Sequence, residues 1–167
     1  MMAKLRVDRV VEVDRKKVCG LARLAHEESL FKDIAFSEAK FFKAFDNTLH
    51  EPDIYLGLKV SLGDEIVGFC YALLGGYYIG EDAKVVTVIT IAIAPETRSK
   101  VLGGKAAMRL TRGIEIWAKS MGATYVLYHA TSGTNPTSSD RFFRKLGMTT
   151  LGGNYGVRLK SESEASG

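Results

Sequence analysis

The stretch Ile91-Ala92-Ile93-Ala94-Pro95-Glu96-Thr97-Arg98-Ser99-Lys100-Val101-Leu102-Gly103-Gly104-Lys105-Ala106 decides how this chain folds. Its left end closes a run from Val85 to Ala94 that is almost continuously apolar and rich in Val, Ile and Thr. That pattern belongs to a central strand covered on both faces. Pro95 stops the strand, and a Ser/Lys/Gly stretch leads to Gly104. To the right the spacing predicts a helix over Lys105 to Met121, with Ala107, Leu110, Ile114, Trp117, Ala118 and Met121 as its buried stripe. Lys105, Arg109, Arg112 and Lys119 fall on the other side, and Gly122 ends the helix at C′. Tyr125 to Ala130 reads as another buried strand. A strand–helix–strand unit from Val85 to Ala130 requires a right-handed crossover between parallel strands.

Working outward, Asp14 is placed to cap a first helix carrying Val18, Leu21, Ala22 and Ala25 at helical spacing. Ser37 is placed to cap a second, with Phe41, Phe42 and Phe45 on its apolar side. Tyr55 to Ser61 and Glu65 to Leu73 flank the turn residues Leu62-Gly63-Asp64 and predict an antiparallel hairpin. Beyond Tyr125 to Ala130, a helix is expected from Pro136 to Leu146, ending at Gly147. Met148 to Leu151 and Tyr155 to Leu159 read as a closing pair of strands. The sum is an α/β (α+β mixed) fold, with a central mixed sheet of six to seven strands flanked by about four helices. One domain over residues 1–160 is expected, followed by a disordered polar tail over 161–167.

The 167 residues are 46% hydrophobic and 25% charged, ordinary for a soluble globular chain. A net charge of +4 fits an anionic ligand but forms no dense basic stripe, so composition gives a nucleic-acid role little support. No signal peptide or membrane-length apolar run is visible, which gives the expectation of a cytoplasmic protein with no membrane partner. Cys19 and Cys70 each lie in an apolar pattern and read as reduced core residues. His26, His50 and His129 form no metal-ligand spacing, so no metal is expected.

The strand–loop–helix junction is where chemistry is expected. The first N–H groups of a helix lack internal partners, and glycine lets backbone approach a bulky phosphate. Arg98, Lys100 and Lys105 surround Gly103-Gly104. The alternative is a plain basic turn. A phosphate loop of the type G-x-x-x-x-G-K-[ST] fails at both ends, because Ser99 and Ala106 occupy its first-glycine and hydroxyl positions. A G-x-G-x-x-G fingerprint fails for want of glycines.

Ile91-Ala92-Ile93-Ala94-Pro95-Glu96-Thr97-Arg98 resembles the GNAT pattern V-x-P-x-x-R at the end of a central strand. Arg98 to Gly103 resembles that family's cofactor loop R/Q-x-x-G-x-G/A, with Val101 in place of its first glycine. Trp117-Ala118-Lys119-Ser120-Met121-Gly122-Ala123 is similar to the end of the family's central helix. Arg141-Phe142-Phe143-Arg144-Lys145-Leu146-Gly147-Met148 is similar to its late L-Y-E-K-x-G-F segment. The resemblance spans roughly Tyr55 to Leu159 and is nearest in flavour to small members encoded by bacteriophages.

This resemblance implies a GNAT-like acyl-CoA N-acyltransferase fold and an N-acetyltransferase that moves an acetyl group from acetyl-CoA to a primary amine by direct attack. Ile91, Ala92 and Ile93 would offer backbone groups to the pantetheine arm. Ser99, Lys100, Val101, Leu102, Gly103, Gly104, Lys105 and Ala106 would surround the pyrophosphate, with charge from Arg98. Asn135 resembles the family's cofactor-contacting Asn, and Phe143 stands where many members carry a Tyr acid. Thr90 stands near the usual Glu base. With both usual groups gone, His129, Glu28 and Tyr128 become the catalytic candidates, with Glu27, Tyr77 and Tyr78 as further options. Each also has a plain structural reading, as a packed or solvated strand residue, a helix end or a core tyrosine. The acceptor is a small-molecule or protein amine, and a homodimer is compatible with the family. The alternative is a GNAT-fold module, weak or inactive, that binds CoA or serves a structural role.

Overall fold

The computed structural model describes residues 3–130, 132–153 and 155–159. Among them one sheet forms, in the order β1 (Leu5–Arg9), β2 (Tyr55–Leu62), β3 (Glu65–Gly76), β4 (Lys84–Ile93) and β5 (Tyr125–Tyr128). The first four strands pair antiparallel with their neighbours, and β5 lies parallel to β4. The helices are α1 (Arg15–Glu27), α2 (Glu38–His50), the short α3 (Pro95–Arg98), α4 (Val101–Ser120) and α5 (Pro136–Lys145). The chain divides into two compact units, Met1–Thr134 and Asn135–Gly167. The first holds the whole sheet and α1 to α4, and the second holds α5.

Alternation along the strands sends side chains to two layers. On one face Leu56, Leu58, Val60, Cys70, Ala72, Val86 and Val88 pack with Leu110, Ile114 and Trp117 of α4. On the other, Phe69 and Ala92 pack with Val18 of α1 and Phe45 of α2. The expected stripes of α1 and α4 pack into these layers, as do Phe41 and Phe45 of α2, while Phe42 stays half-buried against Phe41 and Arg15. The Gly63 turn (φ +62°) closes the β2–β3 hairpin as read. Ser37 caps α2 by accepting the Lys40 N–H at 3.3 Å. Both cysteines are buried and free.

One irregularity shapes everything after it. Tyr71 pairs with Thr90 and Ala72 with Val88, so Ile89 is an extra residue in β4. Before this β-bulge, Val86 and Val88 face α4; after it, Ile91 and Ile93 do. The inserted residue switches the parity of the strand and bends it.

Several expectations change. The sheet has five strands, not six to seven: among the described residues, 148–153 and 155–159 form no strand, while β1 adds one. The second parallel strand ends at Tyr128 rather than Ala130. The central helix starts at Val101, four positions before Lys105, and is preceded by α3 where only a loop was read. Asp14 occupies the N-cap of α1 but makes no side-chain cap bond there. Its carboxylate instead accepts the Val11 N–H at 2.8 Å and pairs with Lys59 Nζ at 2.7 and 2.8 Å. The tail, 161–167, lies outside the described residues.

Candidate functional site

The site begins where β4 and β5 part. Their parallel pairing covers only Val85 to Val88 against Tyr125 to Tyr128, with a long final bond of 3.4 Å from the His129 N–H to the Val88 carbonyl. β4 continues to Ile93 alone on that side. The Ala94 N–H donates to the Val67 carbonyl at 2.8 Å, which fixes the phase of the β3–β4 ladder. By alternation, the backbones of Ala92 and Thr90 also face β3, while those of Ile91 and Ile93 face the gap that β5 has left. Ile91 and Ile93 therefore turn their N–H and C=O groups toward the gap, and Ala92 does not.

Immediately beyond, α3 and α4 build a helix start. Lys100 is extended (φ −112°, ψ 163°) at the N-cap of α4 and supplies no side-chain cap. The Gly103 N–H donates to the Lys100 carbonyl at 2.9 Å, so the N–H groups of Val101 and Leu102 carry the anion-binding character at the positive end of this 20-residue helix. The two glycines do different work. A Cβ on Gly103 would stand 2.5 Å from Arg98 Cα and 2.8 Å from the Thr97 carbonyl oxygen, so Gly103 lets α4 close on α3. A Cβ on Gly104 would meet nothing within 4 Å, so Gly104 is the glycine that faces open space. Val101, in the place of the family's first glycine, is helical and points outward at 80% exposure, which removes any need for positive φ there. Ser99, Lys100 and Lys105 are exposed, Leu102 is half-buried, and Ala106 is sealed in the core. Gly103→Val forces backbone apart and is expected to destabilise the protein by about 3 kcal/mol, within the range for overpacking. Urea denaturation of the variant measures it.

The catalytic candidates separate. The Arg98 guanidinium donates to Glu28 Oε1 at 2.8 Å, and this bond holds the Glu28 carboxyl below the usual carboxylate range. A carboxylate so held is a weak base. Tyr128 packs toward α4, where burial pushes its hydroxyl well up from the ordinary tyrosine value. His129 is exposed at the end of β5, beside the gap. Glu27 is exposed at the last turn of α1. Tyr77 and Tyr78 touch edge to face in the β3–β4 loop, at the end of β4 away from Ile93. Thr90 is half-buried on the α1/α2 side of the sheet. In the second unit, Asn135 caps α5, its Oδ1 accepting the Ser138 N–H at 3.1 Å, and Phe143 packs edge to face on Phe142 with centroids 5.3 Å apart.

Sequence reasoning missed Tyr71. It pairs directly across from Thr90, stacks on Tyr55 with centroids 6.2 Å apart, and hydrogen-bonds to Asn47 of α2. Burial raises its pKa. Only the pairing register brings Tyr71 to Thr90, and no local pattern signals it.

Among the described residues, a mixed sheet whose parallel pair opens next to the start of a long helix defines the class of fold. The profile of the Acetyltransferase (GNAT) family matches residues 21–148, and the chain belongs to that family. No curated protein matches it significantly. Among solved structures it is similar to a transcriptional regulator from Bacillus halodurans C-125, with TM-score 0.73 and 14% identity over 93% of this chain and 100% of that one. It is also similar to AAC(6')-Iy in complex with the bisubstrate analogue CoA-S-monomethyl-acetylneamine, with TM-score 0.75 and 14% identity over 95% and 100% of the two chains. The aminoglycoside antibiotic 6'-N-acetyltransferase AAC(6')-IG from Acinetobacter haemolyticus gives 0.68 and 20% identity over 94% and 99%. At these identities the likeness is one of fold. No helix among the described residues is long and apolar enough to cross a membrane.

Proposed function

We propose that residues 1–160 act as one N-acetyltransferase domain that transfers an acetyl group from acetyl-CoA to a primary amine in the cytoplasm. The observation that carries the proposal is the gap between β4 and β5, bordered by the open backbone of Ile91 and Ile93 and ending at the uncapped start of α4. A neighbour of the same fold binds a CoA-based bisubstrate analogue, which supports a CoA donor.

In this reading the pyrophosphate lies on the α4 start, with the first-turn N–H groups, Arg98 and Lys100 around it and Gly104 giving it room. Ile91 and Ile93 orient the pantetheine arm through backbone hydrogen bonds. A strand N–H in the gap stabilises negative charge on the carbonyl oxygen as the amine attacks. The new C–N bond forms as the C–S bond breaks, and the sulfur leaves as thiolate. The proton lost by the amine passes to His129, which by alternation lies across the sheet from Tyr128, on the side of Thr90 and Tyr71. The acceptor is a small or protein-borne amine entering from the α1/α2 side.

Gly104→Glu tests the donor site. It adds a carboxylate where nothing now stands within 4 Å, so the fold tolerates it while phosphate does not. Calorimetry with acetyl-CoA is expected to show binding by the natural protein and at least a tenfold loss in the variant. Equal binding by both would move the donor elsewhere. The second reading, a CoA-binding module without turnover, is favoured by Phe143 and Thr90 at the usual acid and base positions. Any acetylation above background across an amine panel excludes it.

A further inference from the structure

The segment between α1 and α2 is fastened to the end of α3, just before α4, and to the loop that follows β5. The Glu28 carboxylate holds the Arg98 guanidinium, 70 positions away in sequence, at 2.8 Å. The Leu30 N–H donates to the Ser132 carbonyl at 2.9 Å, and Thr134 Oγ1 donates to the Glu28 carbonyl at 3.3 Å. Gly133, in the left-handed region at φ +68°, lets Leu30 lie against it, since a Cβ there would stand 2.2 Å from Leu30 Cδ1. Within the segment, His26 Nε2 lies 2.6 Å from the Ile34 carbonyl oxygen. Yet Leu30, Phe31 and Ile34 leave large apolar side chains 72%, 49% and 60% exposed. The segment is thus held by polar contacts while it shows apolar surface to solvent.

We propose that the Glu28–Arg98 pair is a latch that anion binding opens. This rests on the assignment of the α4 start as the pyrophosphate site. Arg98 stands at that start, and its charge is neutralised by Glu28 while no phosphate is present. An arriving pyrophosphate competes with the carboxylate for the same guanidinium. Its two charges and the helix N–H groups favour the phosphate. Glu28, once displaced, releases one of the fastenings of the segment 28–36, and its Leu30, Phe31 and Ile34 then close on the aliphatic arm of the donor. Cofactor binding and the shaping of the amine side are in this way coupled through one ion pair.

Glu28→Gln keeps the shape of the side chain and removes its charge. Two measurements on the full chain decide the matter. The first is ligand-free amide hydrogen exchange: residues 28–36 are expected to exchange several-fold faster in the variant, and equal exchange overturns the latch as what holds the segment. The second is calorimetry with CoA: the variant is expected to bind about three-fold tighter, in keeping with loss of a half-exposed competing ion pair. Equal or weaker binding by the variant, with the natural protein binding CoA, overturns the competition. Failure of the natural protein to bind CoA removes the pyrophosphate assignment itself, while the exchange comparison still decides whether the pair fastens the segment. Unchanged far-ultraviolet circular dichroism verifies that the variant is folded.

Discussion

Lys59→Met is expected to lower the unfolding free energy by about 3–5 kcal/mol, because it leaves one member of a buried ion pair without its partner. Lys59 reaches from β2 to both carboxylate oxygens of Asp14, and the side chains are only 14% and 7% exposed. Among the described residues, the Val11 N–H remains as the carboxylate's other donor. A single backbone hydrogen bond does not replace an ammonium for a charge held away from water. The pair ties the turn before α1 to the sheet, so the loss is global and appears as a shifted urea midpoint. Adding Asp14→Leu is expected to restore part of the stability, since removing both charges avoids the uncompensated one. A Lys59→Met variant as stable as the natural protein would mean that water reaches Asp14.

His129→Gln is expected to lower kcat by about a hundredfold, the lower end of what a positioned general base supplies. Tyr128 is turned into the α4 layer, while His129 stands exposed just past β5, at the mouth of the gap. Glutamine keeps a hydrogen-bonding amide but cannot carry the proton away. CoA affinity is expected to stay within about twofold, because the assigned donor contacts are on β4 and α4. Steady-state kinetics with the best amine of a panel, beside calorimetry with CoA, separate the two effects. A variant with full kcat would leave the proton to water.

What the sequence made legible was mostly local. The α4 stripe from Leu110 to Ala118, the Gly63 hairpin and the Ser37 cap are written in residues within one or two turns of each other. The right order of three weak motifs sufficed for the family. β1 was also legible, since Leu5 and Val7 alternate with Arg6 and Asp8, but no strand was assigned there. The start of α4 was misplaced because Gly103-Gly104 looks like a helix breaker. Gly103 is instead demanded by Arg98 and Thr97 of the preceding turn, a packing need that no propensity carries. Asp14 was read as a cap because caps are local, while its partner Lys59 lies 45 positions on. Glu28 and Arg98 were both singled out, yet assigned to separate tasks, because only the folded chain puts them 2.8 Å apart.

The extra residue Ile89 makes β4 a strand with a slipped phase. Both of its faces are covered, by α4 on one side and by α1 and α2 on the other, so the run is apolar almost throughout and its composition hides the slip. A one-residue deletion there would act like a frameshift written in three dimensions. Every position from Thr90 to Ile93 would keep its identity and change its neighbours, sending Ile91 and Ile93 toward α1 and α2 and Thr90 and Ala92 toward α4. The backbone groups now turned to the gap would turn to β3 instead. Strand length is therefore as much a part of this site as any side chain.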